Sequence, residues 1–97
     1  MNIGELVECF AQHEDEYRKT SFLKRKETNR PDLHAFLLLD KLVPGMRNIV
    51  SCAEHDKIWL DIPLAQLASV IEPEQVRELV WCGVCLDEDT DSLTLFV

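Results

Sequence analysis

Glycine is scarce in this 97-residue chain: Gly4, Gly45 and Gly83 stand far apart. A loop that cradles phosphate needs clustered glycines, so P-loop and dinucleotide-binding motifs are excluded. Bases are scarce too, with ten Lys and Arg against eighteen Asp and Glu, a formal net charge of −8. Such a surface repels phosphate backbones, which makes nucleic acid an unfavoured partner. No apolar run approaches the ~20 residues that span a bilayer, so no membrane segment is expected. Met1 to Glu5 show no basic stretch ahead of an apolar one. We therefore expect no secretion signal and a cytoplasmic protein. Its four cysteines should then be reduced thiols rather than a disulfide framework. Internal repeats and low-complexity segments are missing. A chain of this size buries roughly two-thirds of its unfolded surface, enough for one domain spanning 1–97 without staples. A multidomain enzyme, a membrane protein and a secreted disulfide knot are therefore not expected.

Apolar residues make up 46% and charged residues 29%, an ordinary globular mixture. The charges are segregated. Residues 1–17 carry five acids and no base, residues 18–30 six bases and one acid, and residues 54–97 ten acids against Lys57 and Arg77. Ile3, Leu6, Val7, Phe10 and Ala11 recur at helical spacing, which predicts a helix over about 3–18 with Asn2 as its N-cap. Residues 19–29 are polar, basic and aperiodic, and read as a mobile connection to a compact body over about 30–97. Pro31 suits a first helical turn. The following Leu33, Phe36, Leu37, Leu38, Leu39, Leu42 and Val43 cover more than one face, which predicts a central, buried helix ended by Pro44-Gly45.

Asn48–Ala53 and Lys57–Ile62 flank Glu54-His55-Asp56 as the arms of a β-hairpin, the second arm alternating cleanly. Asp61 is placed to cap a short helix bearing Leu64, Leu67, Ala68 and Ile71. Glu72-Pro73-Glu74 opens another, which Gly83 stops. Val84–Leu86 and Ser92–Val97 make a terminal hairpin across an acidic turn. The expected fold class is α+β, in the order ααββααββ, with a small antiparallel sheet packed with helices.

Several constellations carry chemistry on paper. Trp81-Cys82-Gly83-Val84-Cys85 resembles a thioredoxin-type redox motif. That chemistry needs the first thiol at a helix N-terminus. Here it falls at a helix end, where the reversed dipole raises the thiol pKa, so both cysteines read as small core residues. Cys52-x2-His55 and Cys82-x2-Cys85 have permissible spacing for a Cys3His zinc site if two turns bring them together. Asp87-Glu88-Asp89-Thr90-Asp91 begins like a calcium loop but lacks its glycine and its bidentate glutamate. The basic run over 18–30, with Phe22 inside it, could clamp a phosphate backbone or an acidic partner, or neutralise the acidic helix before it. His13, His34 and His55 lie beside acids or on helices, and no Ser or Cys stands in a nucleophile-elbow context. No catalytic residue and no cofactor follows from these patterns, and an enzyme is not expected.

Ala53–Asp61, Leu79–Val84 and Asp91-Ser92-Leu93 resemble small accessory proteins encoded by bacteriophages and prophages, over the C-terminal half of the chain. The resemblance implies a bacterial cytoplasmic setting and an accessory role, with no activity attached. The expected function is that of a small soluble accessory protein working by protein–protein contact, with an unknown protein partner and a homodimeric state. Trp59 and Phe96 are the expected interface, because both should fall on the outer face of the sheet. The last strand should add an unguarded edge. The alternatives are a zinc-stabilised binding module built on Cys52, His55, Cys82 and Cys85, or an acidic mimic of nucleic acid that inhibits a host protein.

Overall fold

In the computed structural model, residues 1–24 and 28–96 are described. The chain forms α1 (Ile3–Gln12), short 3-10 turns at Glu14–Glu16 and Thr20–Phe22, and α2 (Pro31–Leu42). There follow β1 (Val50–Glu54), β2 (Lys57–Leu60), α3 (Leu64–Val70), α4 (Pro73–Trp81), β3 (Val84–Asp87) and β4 (Ser92–Phe96). The α+β class and the order ααββααββ are those read from the sequence. Asn2 caps α1 as expected: its side chain accepts from the Glu5 N–H at 2.8 Å while the Glu5 carboxylate accepts from the Asn2 N–H at 2.9 Å. Two orphan amides of the first turn are thereby satisfied.

The first helix is shorter than its predicted span of 3–18. Its apolar stripe ends at Phe10 and Ala11, and beyond Gln12 the chain tightens into the first 3-10 turn. Arg18, at φ +61°, then turns the backbone, and its N–H donates to the Val80 carbonyl at 3.0 Å. The expected mobile connection over 19–29 is also corrected as far as Leu23. Leu23 is buried in the core, and the Phe22 ring meets Trp81 edge-on at 5.7 Å. Two apolar side chains within a basic run are enough to dock it. Arg25, Lys26 and Glu27 lie outside the described residues.

Pro31 opens α2 at its first turn, but this helix is peripheral rather than central. It packs against α4, where His34 bonds Glu78, and buries His34, Ala35 and Leu39 while leaving Leu33 and Leu37 each 41% exposed. Asp61 does not cap α3, whose N-cap is Pro63. Instead the Asp61 N–H donates to the Ile49 carbonyl, and its own carbonyl accepts from Arg47 Nε at 2.9 Å. At the start of α4, the Glu72 N–H donates to Gln75 Oε1 at 2.9 Å.

All strand pairs are antiparallel and the order is β1-β2-β4-β3. The C-terminal strand therefore lies inside the sheet, between β2 and β3. The expectation that it offers a free edge is overturned, because its two sides are taken by a sequence-adjacent hairpin partner and by a strand at least 33 residues earlier in register, as in Leu86↔Leu93 and Leu60↔Leu93. Alternation then divides the faces. Leu60, Val84, Leu93 and Leu95 are buried with Leu6, Phe10, Leu39, Leu67, Val76 and Leu79 in one apolar core. The other face of the sheet carries Cys52, Lys57, Trp59, Cys85, Asp87, Thr94 and Phe96.

Candidate functional site

The sheet presents two surfaces that its helices do not seal, its outer face and the edge of β3. On the outer face, the register aligns Trp59 with Thr94 and Lys57 with Phe96, so the two aromatics share a side as the sequence indicated. Phe96 is 40% exposed and Trp59 half-buried. The Lys57 ammonium lies 4.9 Å from the Trp59 ring centre and 5.7 Å from that of Phe96, and 3.5 Å from the Asp87 carboxylate. One cation thus bridges two π faces and an acid. Trp59 Nε1 is buried with no hydrogen-bond partner among the described residues.

The edge of β3 borders a groove of about 500 Å³ between that strand and α1. Val84, Cys85 and Leu86 all line it. Consecutive strand residues point to opposite faces, so a groove touched by all three follows the strand's edge. Val7, Phe10 and Ala11 of α1 form the facing apolar wall, and Glu14, Asp15 and Glu88 stand at the rim. At one end lies Tyr17. Its hydroxyl is buried beside the Cys85 thiol yet makes no hydrogen bond of good geometry among the described residues. Burial raises the Cys85 pKa, offset by Tyr17, Lys57 and Arg18.

The four zinc candidates do not converge. Cys52 sits on β1 and Cys85 on β3, the opposite edges of the sheet. Three strand spacings separate them by roughly 14 Å, whereas ligands of one zinc lie within about 4 Å of each other. His55 occupies the exposed β1–β2 turn at φ +56° and Cys82 is buried at the end of α4. Among the described residues no three His, Cys, Asp or Glu side chains are grouped to hold a metal. The redox reading fares no better. The Cys82 pKa is pushed up to about 12, first by burial and then by the Glu78 carboxylate one turn earlier. Asp87–Asp91 forms the β3–β4 turn, with Asp87 accepting from the Asp89 N–H at 3.0 Å.

Two polar centres escaped the sequence reading. Glu16 accepts from Arg77 Nη2 at 2.9 Å, from Trp81 Nε1 at 3.0 Å and from His13 Nδ1 at 3.0 Å. His34 Nε2 donates to Glu78 at 2.6 Å, and its Nδ1 is buried without a partner among the described residues. A carboxylate only accepts, so the hydrogen belongs on Nε2. Their sequence separations of 61, 65 and 44 residues left no local signal by which to find the long-range partners.

The chain matches no family model, no curated protein and no solved structure. No helix among the described residues is long and apolar enough to cross a membrane.

Proposed function

We propose that this is an accessory protein that works by protein–protein contact, holding a segment of its partner at the open edge of β3. The observation that carries this reading is the groove along that edge, with α1 as its second wall. In an antiparallel pair every second residue turns its N–H and C=O away from its neighbour, so an unpaired edge offers ready hydrogen bonds. A binding role suits the chain better than catalysis, because burial raises the pKa of Cys9, Cys82 and Cys85. The resemblance to phage-encoded accessory proteins points the same way. A captured partner should protect alternate β3 amides from hydrogen exchange. Cys85→Lys, which puts a guarding charge on the edge, should abolish capture while the circular dichroism spectrum is retained. Capture that survives Cys85→Lys overturns the edge reading.

A second reading is a homodimer through the outer face. It is favoured by the coexistence of Phe96, Trp59, Lys57 and Asp87 on one patch. A two-fold axis brings a patch against its own copy, and such a patch must carry both charge signs to complement itself. Under this reading Phe96→Glu converts a dimer seen by sedimentation into a monomer.

A further inference from the structure

We infer that the groove between β3 and α1 takes an extended basic peptide, added to the sheet as a fifth strand. This rests on the β3-edge reading above and names the chemistry of the occupant. The two edges of the sheet are not equivalent. β1 is interrupted by a register shift between Val50 and Cys52, is exposed along its whole length and ends in Glu54. Bulges and charges of this kind keep other strands away. β3 has no such shift, pairs regularly with β4 from Val84 to Asp87, contains neither Lys nor Pro, and its one charged residue, Asp87, is held by Lys57 at 3.5 Å. Among the described residues no backbone group of an element other than β4 bonds to β3.

The wall opposite the edge decides what side chains an added strand would carry. Val7, Phe10 and Ala11 are apolar, so every second residue of the peptide, turned toward α1, should be apolar too. The remaining positions meet the rim. Glu14, Asp15 and Glu88 line the groove with no Lys or Arg among the described lining residues. None of the three forms an ion pair among the described residues. Lys or Arg side chains at those positions would gain three carboxylates, and the overall charge of −8 would steer such a peptide inward. An acidic peptide or a phosphate backbone meets the same carboxylates as repulsion. With four residues at ~3.3 Å each, β3 can pair a segment of about four or five residues.

The test is a titration of the isotope-labelled full chain with acetylated Lys-Val-Lys-Val-Lys amide, followed by backbone amide shifts. The expected shifts fall on Val84–Glu88 and on α1 from Val7 to Glu14, and weaken with added salt. A triple variant, Glu14→Lys with Asp15→Lys and Glu88→Lys, should bind about tenfold more weakly or less still. All three positions are exposed, so the fold should survive. A Glu-Val-Glu-Val-Glu peptide that shifts the same amides equally overturns the basic occupant and leaves the edge reading standing. A basic peptide methylated at alternate backbone nitrogens that binds equally well overturns strand addition. If no peptide perturbs β3 at millimolar concentration, both readings fall.

Discussion

Glu16 links the segment after α1 to α4 with one carboxylate and three donors. Hydrogen bonds from Arg77, then Trp81 and His13, hold its pKa at about 2. A carboxyl whose folded pKa is depressed contributes stability above its unfolded pKa of about 4.3 and loses it as pH falls through the folded value. The melting temperature of the wild type should therefore exceed that of Glu16→Gln most clearly above pH 5, and the two should converge toward pH 2. Thermal melts over that range check it. The cysteines form a second residue-scale contrast. Cys52 is exposed and Cys82 is buried with its pKa near 12. Thiol titration of native protein should modify Cys52 first and Cys82 only on denaturation. The sequence had the direction at Cys82 right, but it argued from the helix dipole; the causes are burial first and then the Glu78 carboxylate.

Helix α2 shows why an apolar run does not announce which side it buries. Eight apolar residues from Leu33 to Val43 surround the helix, and only tertiary packing selects Ala35, Leu39 and Val43 as the buried ones. Leu39→Ala should cost about 2–5 kcal/mol, as for a fully buried leucine. Leu37→Ala, at a 41% exposed position, should cost under about 1 kcal/mol. Urea titration of the two variants tests whether α2 is peripheral with one buried stripe. At the end of α4, Gly83 has φ +96°, and a Cβ there would meet only the flexible Arg18 side chain and a Leu95 methyl at 3.4–3.5 Å. The cost of Gly83→Ala is then mostly backbone strain, about 1–3 kcal/mol in the same titration. This stop was legible in the sequence, because a left-handed C′ residue after a helical pattern is a local requirement.

For the molecule as a whole, the order of strands decides which surfaces exist. β4 is interior, so two copies cannot join through its edge. A dimer formed through the sheet must use the outer face, β1 or β3. Sedimentation of the wild type and of Phe96→Glu at micromolar concentration separates these. A dimer lost in the variant assigns the outer face, whereas one of equal strength in both removes Trp59 and Phe96 from the interface. The same topology separates Cys52 from Cys85 and dissolves the zinc constellation that their spacing allowed.

The sequence by itself determined the α+β class and the eight-element order, because proline, glycine, capping residues and the two hydrophobic periods act over a few residues. Asn2, Pro31, Pro73 and Gly83 each stand where their backbone chemistry is required. It also placed Trp59 and Phe96 on one face, since strand alternation needs no knowledge of partners. Only the tertiary structure decided that β2 pairs with β4, that Phe22 and Leu23 dock the basic segment, that Glu16 meets Arg77 and Trp81, and that a groove opens beside β3. These contacts join residues 30 to 65 positions apart or more. Such contacts are selected by how whole elements bury their apolar faces together, a competition that no local pattern encodes.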